Sequence, residues 1–302
     1  FRHAHPEWIA RSFARVLGDA DELELALEAD SQRPIVHLVA RPGDITAEEL
    51  ALMTGCEEGQ YSPYAVYLEH GDPGSLEPVR QGMAAVQDEG SQLIARAVTE
   101  APLIGDDTGR WLDLCAGPGG KAALMAAIAR IDSATVDAVE VSPHRAKLVE
   151  KTARDLPVRV HTADGRSPGL EPGFDRILVD APCSGLGALR RRPEARWRKS
   201  ESDIKDLTSL QAELLESAFN LVRPGGVVIY STCSPDLRET REIVDAAVAK
   251  HGEGTALRIE ELDARQLLPD MGNVGSELSA QLWPHRHGTD AMFFAVLRRL
   301  AD

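Results

Sequence analysis

Trp111-Leu-Asp-Leu-Cys-Ala-Gly-Pro-Gly-Gly-Lys121 begins as an apolar run with a single acid and ends in three glycines and a proline within four positions. The apolar half is typical of a buried parallel strand. Residues 122–128 are strong helix formers, so the stretch predicts a strand, a tight glycine turn and a helix. Glycine suits such a turn because it permits positive φ and lets a ligand approach the backbone. The helix N-terminus then presents free N–H groups to that ligand.

The same turn also fits a known fingerprint. Residues 117–122 match G-x-G-x-x-G/A, which is typical of dinucleotide-binding turns. A lone match is weak evidence, because an ordinary strand–helix turn gives the same pattern. The turn therefore leaves open whether the ligand is a dinucleotide or a different adenosine compound.

Strand and helix patterns alternate along the rest of the chain. Strands are predicted over 135–140, 158–161, 174–180, 227–233 and 291–297, and a long amphipathic helix over 204–222. Such alternation predicts a doubly wound, mostly parallel α/β sheet with helices on both faces. Short helices and strands precede it, so we expect a small N-terminal α/β domain over 1–80, for RNA recognition, and a catalytic domain over 81–302.

Composition limits the classes of protein. The 302 residues include 33 basic and 48 acidic side chains, a net charge of −15, so any nucleic-acid surface has to be a local basic patch. The four cysteines, Cys56, Cys115, Cys183 and Cys233, form no C-x-x-C pair, which argues against a disulfide framework or a zinc site. No apolar run has membrane-spanning length and no signal peptide is visible. We expect a cytoplasmic protein without a metal.

Acidic residues follow several of the predicted strands. In doubly wound sheets the ligand lies beyond the carboxyl ends of the strands, where Asp113, Glu140, Asp164 and Asp180 would meet. Glu140 lies twenty residues after Gly120, where an acid can hold ribose hydroxyls. Four acids would repel a pyrophosphate but favour a cationic, phosphate-free adenosine ligand. S-adenosylmethionine, with its sulfonium and ammonium groups, is such a ligand.

Two cysteines also follow strands at this edge. Either Cys183 or Cys233 alone is compatible with a small buried hydrophobe. Beside a methyl donor, the pair indicates a specific chemistry, because C5 of a pyrimidine is a poor nucleophile. A thiolate that adds to C6 turns the ring into an enamine, which can attack a methyl sulfonium. A second group must then help to remove the C5 proton and release the enzyme.

Five motifs together resemble those of a known family. They are Asp113-Leu-Cys-Ala-Gly-Pro-Gly-Gly-Lys121, Asp164-Gly-Arg166, Asp180-Ala-Pro-Cys-Ser184, Arg190-Arg-Arg-Pro-Glu-Ala-Arg-Trp197 and Ser231-Thr-Cys-Ser234. In kind and order they resemble the motifs of the RNA cytosine-C5 methyltransferases of the bacterial Fmu/Sun (RsmB-type) family, which act on 16S rRNA. The resemblance is close from residue 86 onward and extends weakly to the start through residues 5–8 and 32–34.

The resemblance implies a seven-stranded Rossmann-like methyltransferase sheet and a role for each matching position. The residues implied to bind S-adenosylmethionine are Cys115, Ala116, Gly117, Pro118, Gly119, Gly120, Lys121, Glu140, Arg145, Asp164 and Asp180. Cys233 would be the nucleophile on C6, and Cys183 would assist proton removal and product release. Asp180 would also hydrogen-bond the cytosine edge. In the DNA cytosine-C5 enzymes the Pro-Cys cysteine, here Cys183, is the nucleophile instead, but the Thr-Cys motif places this chain with the RNA enzymes.

A basic segment follows the Pro-Cys motif. Residues 190–199 hold six basic side chains in ten positions, and a solvated loop is the ordinary explanation of such a run. Its position favours contact with an RNA backbone through Arg190, Arg191, Arg196 and Trp197. A cytosine in folded RNA would have to flip out of its stack to reach the cysteines.

The chain departs from the family in three places. Glu140 stands where the family usually has Asp, Ala291 stands where a Gly is frequent, and the NusB-like helical domain of the RsmB type is absent, which suggests a truncated chain. We expect a monomer that methylates rRNA. The same chemistry on tRNA stays open, as do two other classes, an NAD-dependent oxidoreductase and a catalytically silent RNA-binding chaperone.

Overall fold

A computed structural model describes residues 4–301, so residues 1–3 and 302 of the two expected domains lie outside the described part. Its strands form two sheets. The strands are β1 (Val36–Ala40), β2 (Glu57–Glu58), β3 (Ala65–Leu68), β4 (Ala84–Val86), β5 (Arg110–Asp113), β6 (Thr135–Glu140), β7 (Val158–Thr162), β8 (Phe174–Asp180), β9 (Val222–Thr232), β10 (Ile259–Leu262), β11 (Ala280–Gln281) and β12 (Phe293–Arg299).

The larger sheet has the predicted architecture. Its strand order is β10-β12-β9-β8-β5-β6-β7, and the short β11 pairs with β12. The five neighbouring strands β9, β8, β5, β6 and β7 are parallel. Strand β12 runs antiparallel to β9, and β10 runs antiparallel to β12. The mostly parallel, Rossmann-like sheet is therefore confirmed. The strand order reverses at β5, so a crevice for a ligand is expected beyond the carboxyl ends of β5 and its neighbours.

Helices cover both faces of this sheet. The helices are α1 (Glu7–Leu17), α2 (Ala20–Ala29), α3 (Ala47–Thr54), α4 (Glu77–Arg80), α5 (Glu89–Glu100), α6 (Gly120–Ile131), α7 (Pro143–Thr152), α8 (Asp203–Leu221), α9 (Arg241–Lys250) and α10 (Pro284–His287). Within the described residues no helix is both long and apolar enough to cross a membrane.

The core of the larger sheet follows the two-residue period of its strands. On β8, Leu178 belongs to the core under α5 and α6, while Ile177 and Val179 belong to the core under α8 and α9. All three side chains are fully buried. A strand that is apolar on both faces in this way is expected in a central parallel position.

The N-terminal part of the described chain forms two separate packing units. β2, β3, β1 and β4 form a small antiparallel sheet in that order, and α3 packs on it. Its fourth strand, β4, lies beyond the boundary expected at residue 80. Helices α1 and α2 pack elsewhere, against Leu186 and Trp283. The Ser12 hydroxyl of α1 donates to Asp236 at 2.7 Å, so the start of the described chain contacts the loop after β9.

Two local elements differ from the sequence prediction. The segment Arg223-Pro-Gly-Gly226 was expected as a loop between a helix and a strand, but it lies within β9, which begins at Val222. A register irregularity against β8 accommodates it, and Gly225 has a φ of +79°. The short strands β2, β4, β10 and β11 were not predicted, because two to four residues carry too little periodicity.

Candidate active site

The carboxyl ends of the central strands bring the predicted acids and cysteines to one edge. Asp113 ends β5, Glu140 ends β6 and Asp180 ends β8, while Cys233 directly follows β9. The turn after β5 leads into α6, which begins at Gly120. The predicted residues therefore meet at the point where the strand order reverses, as open α/β sheets require of a ligand site.

The glycine turn and Glu140 form one unit. Glu140 accepts hydrogen bonds from Gly117 N at 3.0 Å and from Ser142 N at 2.9 Å, and the Arg145 guanidinium donates to Gly117 O. A Cβ on Gly117 would overlap the Glu140 carboxylate. A Cβ on Gly119, whose φ is +115°, would lie 2.9 Å from Val149 Cα. These glycines are required by close protein contacts in the turn, in addition to any approach of a ligand.

Next to the turn, Asp180 is held by a cation and a hydroxyl. The Lys121 ammonium donates to Asp180 at 2.7 Å, and the Ser231 hydroxyl donates to its other oxygen at 2.8 Å. Burial acts to lower the pKa of Lys121, but the Asp180 carboxylate raises that pKa overall, so the ammonium keeps its proton. Asp180 is therefore fixed at the carboxyl end of β8 with a permanent positive charge beside it.

Asp113 differs from the other acids. It is buried, and burial together with the nearby Asp180 charge raises the pKa of its carboxyl to about 7. Burial likewise raises the pKa of the Cys115 thiol. Asp164 is the outermost of the predicted set, and hydrogen bonds from Arg166 lower its pKa. The four acids thus carry fewer than four charges near neutral pH.

The two predicted cysteines are brought together. Cys183 Sγ and Cys233 Sγ lie 3.4 Å apart, within hydrogen-bond distance for sulfur. This contact and burial raise the pKa of the Cys183 thiol. The hydrogen bond from Cys183 lowers the pKa of Cys233, aided by Lys121 and opposed by burial and by the Asp180 charge. The Lys121 ammonium thus favours a thiolate on the Cys233 side of the pair.

Three of the arginines that were expected to contact RNA form ion pairs inside the fold. Arg190 is 7% exposed and pairs with Asp290 at 2.8 Å and Asp88 at 3.4 Å, while Arg191 pairs with the same two carboxylates. Arg196 is buried against Asp30. These guanidiniums join separated parts of the fold, so the structure does not support their direct contact with RNA phosphates.

The outer part of the same segment remains open to a ligand. Trp197 is 64% exposed, and Arg192 and Arg198 are exposed as well. Lys199 Nζ lies 3.8 Å from the position that a Cβ on Gly185 would take, which places this ammonium over the loop of Cys183. Over residues 4–301, no three His, Cys, Asp or Glu side chains are arranged to hold a metal ion.

The sequence also missed residues that support the site. Ser231 holds Asp180, Asp290 neutralises two arginines, and Glu239 contacts the loop of Cys183. In the sequence, Ser231 is marked only as part of the Thr-Cys motif. Asp290 and Glu239 carry no local signal, since their partners lie about 50 to 100 positions away in the chain.

Comparison with known proteins gives one family. The model described as 16S rRNA methyltransferase RsmB/F matches residues 102–298. A Mycobacterium tuberculosis protein described by its name as a methyltransferase is 59% identical over 302 residues, which are 99% of this chain and 65% of that protein. The ribosomal RNA small subunit methyltransferase B of an Enterobacter species is 35% identical over 268 residues, which are 85% of this chain and 60% of that protein. The chain thus spans less than two thirds of the length of both relatives.

A solved structure gives the same fold. The crystal structure of NSun6 from Pyrococcus horikoshii with SFG superposes with a TM-score of 0.82 and covers all of both chains. Its sequence identity to this chain is 17%, so the similarity is one of fold.

Proposed function

This chain belongs to the 16S rRNA methyltransferase RsmB/F family, and we propose that it methylates C5 of a cytosine in RNA, with small-subunit rRNA as the substrate and S-adenosylmethionine as the methyl donor. The observation that carries this proposal is the cysteine pair, whose sulfurs lie 3.4 Å apart beside the glycine turn. A methyltransferase that acts on a nitrogen or oxygen has no need for a thiolate, whereas one that acts on C5 of a pyrimidine needs a thiolate to activate the ring.

The residues of the glycine turn suit S-adenosylmethionine, which supplies a methyl group on a sulfonium. Glu140 is fixed by two backbone N–H donors, and each carboxylate oxygen keeps a lone pair for a ribose hydroxyl. The remaining negative charge of the edge favours a cation over a pyrophosphate. We assign the turn from Cys115 to Lys121, with Glu140, Arg145, Asp164 and Asp180, to this ligand. The SFG in the Pyrococcus NSun6 structure supports the assignment.

The cysteines divide the chemistry between them. The Cys233 thiolate adds to C6 of the cytosine, and the electron pair that reaches C5 forms the bond to the methyl carbon while the bond from that carbon to the sulfonium breaks and S-adenosylhomocysteine leaves. In the release step the C5 proton passes to the Cys183 sulfur while Cys183 passes its own proton to the departing Cys233 sulfur. The C6–S bond breaks and the ring regains its double bond. Asp180 hydrogen-bonds the cytosine edge and orients C6 of the ring toward the Cys233 sulfur.

The outer residues of the basic segment bind the RNA in this proposal. Trp197 offers a flat apolar surface for a base, and Arg192, Arg198 and Lys199 offer positive charge for phosphates. Arg190, Arg191 and Arg196 shape the segment from inside. The target cytosine reaches the buried cysteines by flipping out of its stack.

Methyl transfer to defined RNAs tests the proposal. The chain is incubated with labelled S-adenosylmethionine and with small-subunit rRNA or tRNA, and the RNA is digested to nucleosides for mass spectrometry. We expect 5-methylcytidine in the rRNA. Label in tRNA alone would change the substrate, and label on another atom would overturn the cytosine-C5 assignment. Tight NAD binding in calorimetry without methyl transfer would favour an oxidoreductase instead.

A further inference from the structure

A buried carboxylate lies beneath the two cysteines and has no part in the chemistry above. Glu239, in the 3₁₀ turn Leu237–Glu239, is fully buried. Among the described residues it forms hydrogen bonds but no ion pair with a Lys, Arg or His. Its neighbour Arg238 is bound to Asp236 and Glu201 instead. Burying a carboxylate without a cation is unfavourable, so its hydrogen bonds have to compensate.

Those hydrogen bonds reach the loop of Cys183, while Glu239 itself lies on the segment that follows Cys233. Ser184, next to Cys183, donates its backbone N–H at 2.8 Å and its hydroxyl at 2.5 Å to the two oxygens of Glu239. The Ser184 Oγ also lies 3.1 Å from the Oγ of Ser234, which directly follows Cys233. The carboxylate thus binds the residue after Cys183, and the hydroxyl of that residue contacts the residue after Cys233.

Two further residues, Gln211 and Tyr230, support this arrangement with hydrogen bonds. Gln211 of α8 donates to Glu239 at 3.1 Å and to Pro182 O at 2.9 Å, on the other side of Cys183. The Tyr230 hydroxyl of β9 donates to Glu239 O at 2.7 Å. Helix α8 and the loop after β8 therefore meet at the Glu239 side chain, and strand β9 holds its backbone carbonyl.

We propose that Glu239 is a positioning residue that clamps the Cys183 and Cys233 loops together and so fixes the distance between the two sulfurs. The role of the clamp in turnover rests on the proposed function, whereas the geometry itself does not. The Glu239 charge also contributes to the raised pKa of Cys183 and so helps to keep that sulfur protonated. The proton exchange of the release step needs both the distance and that proton.

Three variants separate the clamp from general stability. Glu239→Ala removes all three side-chain hydrogen bonds. Glu239→Gln keeps a carbonyl acceptor for Ser184 N–H and an amide donor toward the Ser184 hydroxyl, which can rotate to accept. The matched control is Glu89→Gln, because Glu89 is also fully buried and accepts from two backbone N–H groups and a hydroxyl, but it lies at the small sheet.

The first measurement does not need RNA. The rate at which iodoacetamide alkylates Cys233 is measured by mass spectrometry over a range of pH. The pH at which this rate reaches half of its maximum, the midpoint, is then compared between each variant and the wild type. The groups facing Cys233 are Cys183, Lys121, Asp180 and Asp290, and the hydrogen bond from Cys183 is the largest cause of its lowered pKa. We expect Glu239→Ala to move the midpoint to higher pH, and Glu239→Gln and Glu89→Gln to leave it near wild type. A midpoint unchanged in Glu239→Ala overturns the clamp.

The second measurement is turnover. In Glu239→Ala we expect kcat for RNA methylation to fall by about 100-fold with KM for RNA unchanged, and a protein–RNA adduct to accumulate on a denaturing gel. Glu89→Gln should keep the wild-type kcat even if its melting temperature falls, and an equal loss in both variants would assign Glu239 to stability alone. If Glu239→Ala does not fold, Ser184→Ala takes its place with the same two outcomes. If wild type transfers no methyl group, the proposed function fails, while the alkylation midpoint still decides the clamp.

Discussion

Cys183 and Cys233 lie with their sulfurs 3.4 Å apart, yet different charged groups surround them. Cys233 is near the Lys121 ammonium, which helps to lower its pKa. Cys183 is near the buried Glu239 carboxylate, which helps to raise its pKa. The two cysteines also differ in support, since Cys233 follows a central strand and Cys183 lies in a loop held by distant residues. The comparison teaches that two identical side chains receive different roles from the fixed charges around them.

The largest expected effect comes from removing each sulfur in turn. Cys233→Ala cannot form the bond to C6, so methyl transfer should fall by at least about 1,000-fold, and no protein–RNA band should appear on a denaturing gel. Cys183→Ala can still attack and methylate but cannot complete release, so a shifted band should accumulate.

Cys56→Ala is the control, because Cys56 lies near α3, outside the proposed site. It should turn over as wild type does. The reverse pattern of bands would make Cys183 the nucleophile. Full turnover without bands in both variants would show that neither cysteine takes part.

The second prediction concerns the support of the Cys183 side. Arg190→Ala leaves the buried Asp290 and Asp88 with fewer cationic contacts, so unfolding by urea should show a loss of about 3 kcal/mol. The control, Arg96→Ala, breaks a partly exposed pair with Glu100 on one helix and should cost less than about 1 kcal/mol. A stable Arg190→Ala variant with weakened RNA binding would restore the original assignment of Arg190 to RNA.

The third prediction tests the charge on the Cys233 side. Lowering of the Cys233 pKa keeps its thiolate populated at a lower pH, so the acid limb of the rate profile depends on Lys121. Lys121→Met should move that limb to higher pH and reduce methyl transfer at pH 7 by about 10- to 100-fold, with partial recovery in alkaline buffer. Lys121→Arg keeps the cation and should retain the wild-type limb. An acid limb that does not move in Lys121→Met would exclude this role of the ammonium.

The smallest effect is expected at the outer edge of the Cys183 side. Trp197→Ala should weaken RNA binding by about 1 kcal/mol, because an exposed aromatic ring stacks on a base, and leave the melting temperature unchanged. The measurement is a filter-binding titration with the RNA substrate. Unchanged affinity would leave the exposed basic side chains as the only RNA contacts proposed for this segment.

The sequence predicted those features whose causes are local. The strands at 135–140 and 174–180 have the predicted bounds, because each is marked by its own run of apolar residues. The sequence also predicted that the acids and cysteines lie at one edge of the sheet, because the carboxyl ends of parallel strands meet there.

The remaining features have causes that lie far apart in the chain. Arg190 was assigned to RNA because of its basic neighbours, but Asp290 and Asp88, 100 and 102 positions away, bind it inside the fold. Glu239 could not be found for the same reason, since Ser184 is 55 positions from it. Which charge is neutralised by which partner is a property of the folded chain, and no local pattern records it.

The contact between Ser12 and Asp236 has a consequence for synthesis of the protein. These residues are 224 positions apart. In the same way, the backbone N–H of Ala291 donates a hydrogen bond to the carbonyl of Gly187, which lies close to Cys183 but much earlier in the chain. During translation, α1 is made before the residues after β9 that it contacts, so it can pack against them only once they have been made. Gly187 also donates to Cys233 O, so the backbone around the cysteines is completed only after Ala291 has been synthesised. Completion of the paired-sulfur site is thus a step that follows synthesis of the whole segment from Cys183 to Ala291.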